Sequence, residues 1–184
     1  LKVVVLRLAA SNPGVADYVR RTYSRYLERE QRRVISFDHR FNYVWYTLNK
    51  TYHSVSGSKA YDTSFKALHE ICETIREVSE QAAVPHASFG TKRSALEMLR
   101  KIGKTICSSS NDTVGNEVQK QFSHGCELQD AVYAVVKAMS KEERPQMCAI
   151  DDERSTSLKK MRELEQLAED YCVFQRVGEV TDLL

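Results

Sequence analysis

Apolar residues recur at steps of three and four along most of the chain, the spacing that gathers them on one face of an α-helix. The clearest run is Val34, Phe37, Phe41, Val44, Trp45, Leu48 and Tyr52. It spans five turns and predicts one wide apolar face with Trp45 in the core. Before it, Asn12-Pro13 supplies an N-cap with proline at the first helical position. Val15, Val19, Tyr23, Tyr26 and Leu27 then continue a helical stripe. No glycine or proline separates the two segments. One long helix and a break near Arg33–Ser36, with Ser36 as the new cap, both fit.

Ser54 to Ser58 reads as a loop. A third helix carries Phe65, Leu68, Cys72, Ile75 and Val78 inward and ends before Val84-Pro85-His86, because proline disfavours α geometry in the residue before it. A fourth runs from Thr91 to Cys107 through Ala95, Leu96, Leu99, Ile102 and Ile106. Gly103 on that same face predicts a closely packed neighbour. Asp112 or Ser110 caps a fifth helix through Val114, Val118 and Phe122, ended by Gly125, and Leu128 to Met139 forms a sixth. Ser140-Lys141-Glu142-Glu143 opens a short helix interrupted at Pro145. Asp151-Asp152-Glu153 places carboxylates at a helix N-terminus, where the macrodipole favours them. Leu158, Met161, Leu164, Ala168 and Tyr171 follow, and Gly178 interrupts before a final turn, Val180 to Leu184. No repeat of fixed period emerges. The expectation is an all-α fold: a single antiparallel bundle of seven to eight helices over residues 1–184.

Composition narrows this further. Among 184 residues there are only seven glycines and three prolines, too few turn signals for a sandwich or barrel. No apolar run reaches the roughly 18–20 residues that cross a bilayer. Leu1 to Ala10 carries Arg7 in its middle and reads as an amphipathic helix rather than a signal peptide. The chain opens on Leu1, and a fragment of a longer protein is expected. The five cysteines are odd in number, widely spaced and free of any CxxC pair. They read as buried thiols in a reducing compartment, nuclear or cytoplasmic. The sequons at Asn49 and Asn111 then have no consequence.

Candidate chemistry is sparse. His69 and Cys72 share a helix face, but a zinc site needs at least three ligands, so neither a metal nor a cofactor is expected. No nucleophile elbow occurs. Ser88-Phe89-Gly90-Thr91-Lys92 lacks the spacing of a phosphate-binding loop. The chain reads as a non-enzyme.

Charge is distributed more tellingly. From Leu1 to Arg33 eight basic residues oppose three acidic ones, whereas from Lys141 onward eleven acids oppose seven bases. Arg21, Arg25 and Arg32 project within about 40° of one another at 100° per residue, with Arg29 beside them and tyrosines at 18, 23 and 26 between. Arginine clusters interleaved with aromatics suit acidic peptides or phosphate backbones. The plain alternative is a solvated face, neutralised by Glu28, Glu30 or the acidic C-terminal half. The candidate partner-binding residues are Tyr18, Arg21, Arg25, Arg29 and Arg32, with Arg100 and Lys104 from the basic fourth helix. A protein partner is the first expectation and nucleic acid the alternative. A membrane is not expected, and a homo-oligomer stays open.

Two stretches, Arg33 to Phe65 and HASFGTKRSALEMLRKIGKTIC (His86 to Cys107), resemble a set of uncharacterised helical proteins of filamentous fungi. Asn12-Pro13, Leu48-Asn49 with Tyr52, and the helix near Tyr61 are similar in pattern to the helical bundle of the fungal nuclear proteasome-tethering family. The first resemblance implies no activity; the second implies a helical bundle over about 100 residues.

Overall fold

A computed structural model describes residues 10–52, 55, 57–109, 112–149, 151–152 and 155–184. Leu1 to Ala9, the Ser110 cap, the Asn111 sequon and Glu153 lie outside the described residues. The protein is an all-α bundle. Its helices are α1 (Pro13–Arg32), α2 (Asp38–Tyr46), α3 (Ser58–Ala82), α4 (Phe89–Cys107), α5 (Thr113–Phe122), α6 (Glu127–Lys137), α7 (Glu143–Ala149), α8 (Ser157–Asp170) and α9 (Val177–Thr181). A π-helical turn, Thr47–Thr51, prolongs α2. A minimal antiparallel pair, Asp151–Asp152 with Ser155–Thr156, precedes α8.

The centre is α4. Its buried residues, from Thr91 and Ala95 through Leu99 and Ile102 to Ile106, cover nearly half the helix surface. They meet α2, α3, α5, α6 and α8. Gly103 admits the close approach that its position predicted: a Cβ there would lie 2.9 Å from Leu128 Cδ2 and 3.0 Å from Leu164 Cδ1. Caps follow the sequence signals. Asn12 Oδ1 accepts from Gly14 N and Val15 N, Ser88 Oγ from Thr91 N, and Asp112 Oδ1 from Gly115 N. Beyond α8 the chain turns through left-handed Cys172 and Phe174, and the Phe174 ring packs edge-on against Phe122 at 5.5 Å.

Several expected faces are turned or absent. The first two helices are separate, because Arg33 leaves the helix with extended backbone and residues 33–37 belong to no helix or strand. In the second, Phe37, Val44 and Leu48 are buried, but Val34 and Trp45 point outward. Trp45 keeps 37 % of its surface exposed, which overturns its core assignment. A Trp45→Ala variant is accordingly expected to lose only about 1 kcal/mol in urea denaturation, the scale of a surface change and not of a core one. In α3 the buried face is Ala60, Ser64, Ala67, Ile71, Thr74, Ile75, Val78 and Ala82. Ile75 and Val78 are buried as expected, but the face is centred about 70° round from the expected stripe, so that Leu68 and Cys72 are half-buried and Phe65 is exposed against Tyr61. Both α5 and α6 pack against α3. Pro145 does not interrupt α7 but lies in its first turn, where an N–H would have no helical partner. The N-cap of α8 is Thr156, so Asp151 and Asp152 are in the strand pair and not at the helix start. Gly178 sits inside α9 and lets it approach Glu165 of α8.

Candidate functional site

The arginine stripe lies on a helix of 20 residues, about 30 Å long, none of which is buried. Both ends are well made: Asn12 caps the start, and Arg29 and Arg32 occupy the last turn, where cations suit the dipole. Arg20 pairs with Asp17 at 2.6 Å and Arg33 with Glu30 at 3.6 Å. Among the described residues no carboxylate pairs with Arg21, Arg25, Arg29 or Arg32. Three acids of the C-terminal half are engaged at home instead: Arg162 binds Glu165 and Asp182, and Arg176 binds Glu179. Tyr18 stands beside the stripe with 72 % of its surface exposed. Around the helix, Val15, Val19, Tyr23, Tyr26 and Leu27 form a second, apolar stripe with no buried member.

The structure does not add Arg100 and Lys104 to this surface. Arg100 is largely buried and bound bidentately by Glu97 at 2.7 and 2.9 Å. Lys104 lines a separate groove with Phe41 and Trp45. No hydrogen bond, ion pair or shared cleft among the described residues joins either of them to α1.

A strap fastens α1 to the bundle, and it explains the Ser88–Lys92 stretch. Ser88, Thr91 and Ser94 recur every three residues and so present hydroxyls along one face of α4. Ser88 Oγ donates to Arg33 O at 2.6 Å, Ile35 N donates to Thr91 Oγ1 at 2.9 Å, and Phe37 N donates to Ser94 Oγ at 3.1 Å. Backbone groups of Arg33, Ile35 and Phe37 are thus satisfied by side chains of α4 and its cap. Gly90 allows the contact, since a Cβ there would fall 2.7 Å from Val34 Cγ2. The hydroxyls of this stretch hold backbone.

Two polar features were not legible in the sequence. Lys92, its side chain 4 % exposed, forms an ion pair with Glu143 at 2.8 Å on the wall of a cleft of about 610 Å³. Their separation of 51 positions left no local signal. Glu70 accepts hydrogen bonds from both Tyr43 and Tyr52, at 2.9 and 3.4 Å. That acceptor and its charge raise the Tyr43 pKa, while burial first and then Glu70 raise that of Tyr52.

The thiols are unlike activated nucleophiles. Burial, with the negative charges of Glu127 and Glu73 behind it, pushes Cys72 up to about 12, and burial pushes Cys107 up to about 11. Cys126 is raised by its hydrogen bond to Asp130. Reactive cysteines are lowered, not raised. All five are free, and Cys126 and Cys172 are exposed, against the expectation of buried thiols. Both lie outside the helices, in a cap and a turn. Among the described residues no group of three or more His, Cys, Asp or Glu could hold a metal, and no helix is long and apolar enough to cross a membrane. No family model matches the chain, and neither does any curated protein or solved structure.

Proposed function

We propose that this chain is a non-enzymatic interaction module that holds out α1 to an acidic or amphipathic protein partner. One observation carries the reading: a capped, amphipathic helix of 20 residues, strapped to a packed bundle, with no residue of its own buried. In proteins most helical stability comes from packing an apolar face and not from propensity. Val15, Val19 and Leu27 are only half-buried and Tyr23 and Tyr26 are exposed, with the Tyr26 ring centred 6.2 Å from that of His86, so the stripe favours a covering partner. Tyrosine and arginine are the residue types that dominate binding energy at protein interfaces, and the four arginines without carboxylate partners set the partner's charge. Free thiols fit a reducing compartment, so the nucleus or cytoplasm is the proposed setting.

Nucleic acid is the second reading, because unpaired arginines equally suit phosphates. Salt separates the two, since phosphate contacts release counterions and weaken steeply as salt rises. In an affinity capture from extract, the module predicts a discrete protein that survives high salt and nuclease. Arg21→Glu with Arg25→Glu should abolish its capture while the thermal melt stays unchanged. Recovery of salt-labile, nuclease-sensitive material alone would overturn the module in favour of nucleic acid.

A further inference from the structure

The groove between α2, the π-helical turn and α4 has one aromatic and one basic wall, and we propose that it takes a single nucleotide unit. The base would stack on Trp45 and the phosphate would sit at Lys104. This site is distinct from α1 and does not depend on the reading above. The groove encloses about 280 Å³ and is lined by Phe41, Trp45, Asn49, Lys101, Lys104 and Thr105, among others. Its size is on the order of one nucleotide unit.

Three observations place a planar anion here. First, Trp45 is the chain's only tryptophan; it stays partly exposed on the wall of the groove, with the exposed Tyr46 ring packed edge-on against it at 5.7 Å. The backbone changes from α to π immediately after it, at Thr47, and Asn49 Nδ2 donates to the Trp45 carbonyl at 2.9 Å. Such π segments recur at functional sites. Second, the two lysines are not equivalent. Lys101 is satisfied within the molecule, 3.7 Å from Asp38, 4.0 Å from Glu97 and over the Phe41 ring at 5.6 Å. Lys104, almost one turn further along α4, pairs with no carboxylate among the described residues. The acids lie at the Lys101 end, which directs an incoming phosphate to Lys104. Third, an aromatic face beside a free cation is the chemistry by which proteins hold unpaired bases without reading sequence. An acidic peptide would satisfy Lys104 but would leave the indole face without a stacking partner.

Because Trp45 is the only tryptophan, fluorescence excited at the red edge of the aromatic band, where tyrosine no longer absorbs, reports on this groove, once corrected for absorption by the probe. It would be titrated with a nucleoside monophosphate and, separately, with a short single-stranded oligonucleotide. Saturable quenching is expected, weakened about tenfold by Lys104→Glu and unchanged by Arg21→Glu with Arg25→Glu, which alters only the α1 surface. Quenching by the oligonucleotide alone would assign the unit to a nucleic-acid strand; equal quenching by the monophosphate would assign it to a free nucleotide. Lys104 is exposed, so the variant should melt like the parent. No saturable quenching by either probe at millimolar concentration, or quenching that Lys104→Glu leaves intact, would overturn the proposal.

Discussion

Replacing Glu143 with alanine is expected to destabilise the protein by about 3 kcal/mol, although this residue lies on a short helix near the surface. Its carboxylate accepts from the Lys92 ammonium at 2.8 Å and, through the same Oε2, from Ser140 N at 2.7 Å. Ser140 Oγ in turn accepts from Glu143 N, the reciprocal arrangement of a capping box. Alanine removes that cap and leaves the ammonium of Lys92, almost wholly enclosed by α4 and its neighbours, without a counter-charge. Losing one member of a buried pair costs about 3–5 kcal/mol, whereas replacing both with apolar groups is often near neutral. The partial exposure of Glu143 places the effect toward the lower end. Adding Lys92→Met to Glu143→Ala should therefore restore most of the lost stability. Urea denaturation of the single and double variants measures this. A single variant within about 1 kcal/mol of the parent would mean that Lys92 finds water instead.

Gly115→Ala is expected to cost about 3 kcal/mol or more, and the sign runs against helix propensity. Alanine stabilises an exposed helical position by up to about 1 kcal/mol relative to glycine. Gly115, however, is buried in the first turn of α5, against Ser109. A Cβ there would overlap the Ser109 carbonyl oxygen and lie 2.8 Å from its carbon. Ser109 cannot withdraw easily. Ser109 Oγ donates to Ile106 O and Gly115 O, and Gln119 Nε2 donates to Cys107 O. Backbone cannot turn aside as a rotamer can. At Gly103 the atoms in the way are the tips of Leu128 and Leu164, so Gly103→Ala should cost less. Thermal melts of the two variants compare them directly, and equal losses would contradict the backbone argument.

Much of the fold was legible because its signals are local. The caps at Asn12 and Asp112, the span of α4 and the six inward positions of the Leu128–Met139 segment all depend on residues within a few positions of one another. The errors arose where a residue's surroundings came from far along the chain. Phe65 and Trp45 are large and apolar, so periodicity assigned them to the core, yet α3 buries the face of Ala60, Ala67, Ile71 and Ile75, and α2 with its π-helical turn buries Val44 and Leu48 instead. The candidate site divided in the same way. The arginines of α1 share a face by helical geometry alone, whereas Arg100 is taken up by Glu97 and Lys104 by a different groove.

What the sequence by itself determined is therefore the all-α class, most helix limits, and the basic face of α1, since each follows from spacing and capping along one stretch of chain. What only the tertiary structure decided is which faces are covered. It left α1 unburied, made the Ser88–Thr91–Ser94 hydroxyls a strap for residues 33–37, and joined Lys92 to Glu143. The physical reason is that burial and pairing depend on what the rest of the chain brings alongside, and a helical pattern specifies a face without specifying its neighbour.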